Sequence, residues 1–477
     1  MKKWMIRALS ALLIAAFLPL SVLADEYDLT QGSVTVSTTK GADGSTQQKV
    51  THKDTTKPDS NPTITSNGNE TKNTITIKAD AGTTANVTVK DTNISTGSAA
   101  IKTGGEGNVN LNVEGTNTVA SGVGHAGVEK HNDGNLTIGS ESGEGKLTAN
   151  GGHDGAGIGG GSECNVSNIT ITGGEVTANG GVSGAGIGGG LSGSGSDITI
   201  SGGEVTANGG EGSAGIGGGV YSNGSEIIIS SGKVTANGGE AGAGIGGGWG
   251  GNGSDITISG GEVTANGGTN GAGIGGGLRA SGSDITISGD SQVKATGGAE
   301  DPYDGCGAAI GNGGYSNDRA TERVDGSEVE PDTSGLSPTG KVERKRGDGT
   351  VLKTITGTVE PPVEPEKSAS AEEEPDKREP LYRVLNLDGS SLKHQAQKAD
   401  GVLALTAKAD GAVLTGTLRA LGYLQNQGIE KIAFTDGTHS AELVLAELIA
   451  KGQPEDVYVL TLGAANTLTL NGEAIDS

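Results

Sequence analysis

The chain has 477 residues, a formal net charge of −24, 90 glycines and only 2% aromatic residues. A surface this acidic repels nucleic acid and anionic lipid, and so few aromatics exclude an ordinary globular core for the whole length. The glycines follow no three-residue period, which excludes collagen. Some other device must bury surface.

In chain order, Lys2, Lys3 and Arg7 form a positive start, residues 8–23 an apolar run, and Val22-Leu23-Ala24 a small-residue cleavage site. This is the tripartite pattern of a secretory signal peptide, expected to span residues 1–24. Its removal takes three basic and no acidic residues, deepening the net charge to −27. No second apolar run follows, so the mature protein is expected to be secreted or surface-exposed, with no membrane span. Residues 25–74 read as an N-terminal cap with irregular first strands.

Repetition dominates the next part. Gly-Ala-Gly-Ile-Gly-Gly-Gly occurs at 155–161, 184–190, 242–248 and 271–277, with Ser-Ala-Gly-Ile-Gly-Gly-Gly at 213–219, so successive starts are 29 residues apart. Each unit reads as three short alternating strands separated by glycine and serine turns. One unit cannot bury its apolar face, but stacked units can, at ~4.8 Å per turn. Three apolar ladders follow: Ile169, Ile198, Ile227, Ile256 and Ile285; Val176, Val205, Val234 and Val263; Ile158, Ile187, Ile216, Ile245 and Ile274. Threonines alternate outward, with Asn179, Asn208, Asn237 and Asn266 beside them, and the third strand shows mostly glycine. The expectation is a parallel β-helix over residues 75–315, of eight or nine turns, with one nearly flat, glycine-lined face.

Residues 73–94 (NTITIKADAGTTANVTVKDTNI), 135–138 and the Gly-Ala-Gly-Ile-Gly-Gly-Gly copies resemble the carbohydrate-binding-domain proteins of anaerobic Gram-positive bacteria. The resemblance covers roughly residues 30–315. It implies a right-handed parallel β-helix and, for some members, binding of acidic plant polysaccharides and calcium. No ligand residue of the family maps onto a position here.

Residues 316–380 are rich in proline and acid and read as a linker, with a short strand at 351–355 placed to close the solenoid. Residues 381–477 regain ordinary hydrophobic content. They read as a small α+β domain, with a helix at 414–425 and strands at 431–435, 441–445, 458–462 and 467–470. The fold class is therefore all-β, a right-handed parallel β-helix followed by a linker and a small α+β domain. Cys164 and Cys306 lie 142 residues apart, about five turns, which places them roughly 24 Å from each other; both are expected to be free thiols.

Several candidate sites stand out. Asp197, Glu226, Asp255 and Asp284 form an acid ladder. Such a row suits Ca2+, which takes carboxylate oxygens, but equally suits turn residues. Glu175, Glu204, Lys233 and Glu262 form a mixed row that reads as structural. Trp249 stands at the corner after a triple glycine, in register with Ser162, Leu191, Val220 and Leu278, with Tyr221 and Arg279 adjoining. An aromatic face beside a hydrogen-bonding cation suits a sugar, acidic ones included; an apolar strip packed on a loop is the alternative. His125, His131 and His153 fall on adjoining turns near Glu129, Lys130 and Asp154, as a zinc or acid–base site or as solvated turn residues.

The repeat block lacks the clustered aspartates of a hydrolase, and its only basic residues between 151 and 290, Lys233 and Arg279, fall on different turns, which does not suit a lyase. The expected function is a non-catalytic polysaccharide-binding or adhesive module, possible calcium assistance included. The alternatives are a polysaccharide lyase or glycoside hydrolase acting outside the repeats, and a structural spacer presenting the C-terminal domain.

Overall fold

The computed structural model describes residues 25–41, 43–300, 304–316, 323–357, 382–387, 390, 392–399, 401–409, 411–426, 429–452, 456–471 and 473–475. The expected signal peptide, and most of the proline-rich linker from 358 on, lie outside the described residues. The chain divides into two compact units, Met1–Pro361 and Pro362–Ser477.

In the first unit, β-branched residues alternating with threonine set the strands. One turn shows the pattern: Ile198–Ile200 lies in a first sheet, Glu204–Asn208 in a second and Ile216–Gly217 in a third. Each pairs in parallel with its copy on the next turn: Ile198 with Ile227, Val205 with Val234, Ile216 with Ile245. The sequence period is thus the strand register. The isoleucine and valine ladders are buried and join one core cluster. Each fully buried isoleucine contributes about 1.5–3 kcal/mol.

Outside, the asparagines form a hydrogen-bonded stack. Asn179 Nδ2 donates to Asn150 Oδ1 at 2.8 Å, and Asn208, Asn237 and Asn266 repeat the bond on successive turns at 2.8 Å. Stacking in register lets each interior amide both donate and accept, as in cross-β ladders. In the mixed row, Lys233 Nζ meets Glu204 Oε1 at 2.7 Å, but both are exposed, so the pair adds little.

The third sheet differs from a bare glycine face. Its glycines are buried. A Cβ on Gly188 would lie 1.9 Å from the Gly217 carbonyl oxygen, and one on Gly186 would lie 2.6 Å from the Asn208 nitrogen. These glycines let neighbouring turns and the connecting loop close onto backbone, so the loop covers the face that alternation alone would leave open.

The first sheet alone has 10 strands, more than the eight or nine turns expected. The difference arises at the N-terminal end. Glu26–Asp28 and Thr63–Thr65 already pair within the first sheet, and Val34–Lys40 pairs in parallel with Ile75–Ala79 in the third. Antiparallel strands cover the free edges. Thr46–His52 and Thr55–Pro58 extend the third sheet at one end, and Val351–Thr356 pairs with Lys341–Lys345 at the other. Both cysteines are free.

Among its described residues the second unit holds a five-stranded antiparallel sheet and a four-stranded sheet, with helices Leu418–Asn426 and Leu445–Ile449. The helix expected from residue 414 begins only at Leu418, because Ala412–Thr417 is a strand whose Ala412 and Leu414 face the core. Alternation with β-branched Val413, Thr415 and Thr417 outweighs the helical reading.

Three substitutions in one turn test this packing. Ile216→Ala is expected to cost about 2–5 kcal/mol by leaving a cavity. Gly217→Ala should cost about 1–3 kcal/mol or more, because its Cβ meets backbone. Thr206→Ala, facing outward, should stay within about 0.5 kcal/mol. Denaturant unfolding monitored by circular dichroism reads all three.

Candidate functional site

After each triple glycine the chain turns a corner, and the residue there takes a left-handed backbone. Glu163, Ser192, Tyr221, Gly250 and Arg279 occupy this position with φ of 58°, 55°, 62°, 68° and 63°. The conformation is uncommon for side chains such as Tyr and Arg. The corner is tied to the loop of the preceding turn. Trp249 N–H donates to the Gly212 carbonyl at 2.7 Å, and Val220 and Leu278 repeat the bond to Ser183 and Ala241.

Between corner and loop runs a groove of about 640 Å3. Val220, Trp249 and Leu278 form one wall; Val182, Glu211, Glu240 and Thr269, again 29 residues apart, form the other. Trp249 is 38% exposed, whereas Val220 and Leu278 are buried. The indole therefore offers an apolar face to solvent within a concave site. Tyr221, on the adjacent turn, lies against it with ring centroids 5.3 Å apart and planes at 41°.

The structure splits the sugar site expected from sequence. Tyr221 and Trp249 come together, but of the three only Trp249 lines the groove; Tyr221 lies against the indole outside it, and Arg279 is elsewhere. Its guanidinium meets Asp304 at 3.3 Å, and it lines a second groove of about 480 Å3 with Tyr315 and Asp325. The Glu211–Glu240 wall was not singled out from sequence. Its signal was present, since the two acids share the 29-residue register, but nothing in a loop without strand pattern ties them to Trp249.

The acid ladder sits at another turn. Asp197, Glu226, Asp255 and Asp284 have φ of 47°, 52°, 54° and 52°, and Asn168 precedes them in register at 59°. Asp and Asn tolerate this conformation, which gives the row a backbone role. A hydrogen bond to neighbouring Asp197, and that group's charge, push the Glu226 carboxyl above its usual range. Among the described residues no three His, Cys, Asp or Glu side chains gather as a metal-holding group.

A third cluster is more tightly built. Glu129 stands on the third sheet opposite Gly159, with its side chain 2% exposed. It accepts from His125 Nδ1 at 2.7 Å, His131 Nε2 at 2.9 Å, Lys102 Nζ at 3.1 Å and the Ala126 N–H at 3.2 Å. Burial raises its pKa, but the bonds from His131, His125 and Lys102 outweigh burial and hold it at about 2. Lys130 beside it is also buried, which lowers its ammonium to about 8, and it donates to the Asn132 carbonyl. His153 pairs instead with Asp154 at 2.7 Å, so two of the three histidines are brought together.

A family model described as the beta helix repeat matches residues 142–162, 169–191, 198–220, 227–249, 256–278 and 285–314. The matched segments include Glu211, Glu240 and Trp249 of the groove, while Asp197, Glu226, Asp255 and Asp284 fall in the gaps between them. With the parallel ladders, the matches define a β-helix repeat protein that forms a β-solenoid. No curated protein and no solved structure matches the chain.

The Glu129 cluster predicts a pH effect. A carboxyl lowered from 4.5 to about 2 by folding contributes stability that is full above pH ~4.5 and lost as pH falls towards ~2. Glu129→Gln should remove about 3 kcal/mol of that dependence. Thermal unfolding of parent and variant in steps from neutral to low pH checks this: the two curves should converge as acid is added.

Proposed function

We propose that the solenoid is the carbohydrate-binding part of an exported protein, with the Trp249 groove as its sugar platform. The observation that carries this reading is a partly exposed indole lining a concave site with hydrogen-bonding side chains on its rim. Sugars present apolar C–H faces ringed by hydroxyls, and an aromatic plane flanked by polar groups matches both parts. The threonine and asparagine rows elsewhere offer only hydrogen bonds, for which water competes at little net cost. The sequence pattern of residues 1–24 supports an extracellular setting. Calcium, if it assists, would be drawn by the acid ladder.

One observation favours a second reading, a polysaccharide lyase or hydrolase acting outside the repeat block. Glu129 orients two partly exposed imidazoles, an arrangement suited to moving protons.

A glycan array with and without calcium, followed by reducing-end and unsaturated-product assays on the hits, separates these readings. Binding without turnover is expected. Turnover abolished by His131→Ala would favour the enzyme, and no binding at all would favour a spacer. Trp249→Ala should weaken binding of the hits by about tenfold while leaving the melting transition in place, since the indole lies outside the isoleucine core. Unchanged affinity in the folded variant would remove the groove from the reading.

A further inference from the structure

We infer that the Trp249 groove selects an amino-sugar polysaccharide, one whose units carry free ammonium groups; the inference rests on the carbohydrate reading of that groove. Its starting point is the groove itself, a concave site along the solenoid axis with an accessible indole. What decides the ligand's charge is the facing wall. Glu211 and Glu240 occupy one register on adjacent turns, ~4.8 Å apart along the axis, and both are exposed. Neither makes an ion pair among the described residues. A third acid on the rim, Glu300, is already paired with Arg323 at 3.4 Å. Among the described residues no Lys, Arg or His lines the groove.

An acidic sugar fits this wall poorly, because its carboxylates would face Glu211 and Glu240. Arg279, which would have offset them, is paired with Asp304 and lines the other groove, where Asp325 also stands. An ammonium suits the wall. The two carboxylates attract it, and the indole opposite takes the apolar C–H face of the same sugar unit. A linear chain lying along the axis would pass the indole and both carboxylates, presenting sugar faces to one wall and amines to the other. The net charge of −24 draws a polycation towards the surface before it docks.

The test uses the full chain and isothermal titration at a pH where the amines are charged, in low salt. The probes are a β-1,4-linked glucosamine hexasaccharide, its fully N-acetylated counterpart, a polygalacturonate oligomer and oligolysine. The glucosamine oligomer is expected to bind at least about tenfold more tightly than the acetylated one, and more weakly as salt is added. Glu211→Gln with Glu240→Gln should abolish that preference and leave the acetylated oligomer unaffected, whereas Trp249→Ala should weaken both. Equal affinity for the two hexasaccharides, still sensitive to Trp249→Ala, would overturn the charge selection and leave the carbohydrate reading standing. Tighter binding of the uronate would also overturn it, as would oligolysine matching the glucosamine oligomer. Silence from every probe would overturn both inferences together.

Discussion

Close approach of one backbone to the next governs this molecule. Neighbouring turns are joined by parallel ladders on three sides, and at the third sheet the connecting loop also closes onto backbone. Only glycine permits this at positions such as Gly186, Gly188 and Gly217, where a Cβ would fall within 3 Å of neighbouring backbone atoms. The glycine content that first suggests a linker is therefore what lets the turns pack. Once they are packed, isoleucine and valine fill the interior, and few aromatics are needed.

The candidate sites follow from the same stacking. Because every turn repeats its corner and its loop, any substitution in one copy appears at a fixed place on a regular frame. Trp249 replaces Ser, Leu or Val at a corner that already forms one wall of a groove. Glu211 and Glu240 take loop positions held by Val182 and Thr269 on flanking turns. Glu129 stands in the register of Gly159, and its buried carboxylate is compensated by four donors. The scaffold supplies geometry and single residues supply chemistry, which is how repeat folds acquire sites without altering their core.

Much of the fold was legible because its determinants are periodic. The ladders through Ile216 and Val205 needed only the 29-residue spacing to be placed inside, and the paired strands sit in that register. What was not legible depended on non-periodic contacts. Strands at 26–28 and 63–65 lack the repeat, so the N-terminal turns were undercounted. The third-sheet glycines were expected to face outward because alternation does not foresee a loop folding over them. In the second unit the helix expected from 414 starts too early: Thr415, Gly416 and Thr417 are poor helix formers, and pairing with Val457–Leu462 makes 412–417 strand. At the groove, Trp249 and Tyr221 were found from their scarcity, whereas the partner of Arg279 is Asp304, on a connection that breaks the period.

If the register is the organising constraint, whole turns are interchangeable and partial turns are not. The direct measurement is to delete residues 169–197, one 29-residue period, and in parallel residues 169–183, about half of one, then compare β circular dichroism and thermal unfolding with the parent chain. Deletion of the full period joins Asn168 to Ile198 and rejoins all three ladders. The account predicts that it keeps the β spectrum and a cooperative transition near that of the parent, while the half-period deletion loses both. Equal tolerance of the two deletions, or collapse of the full-period one, would contradict it.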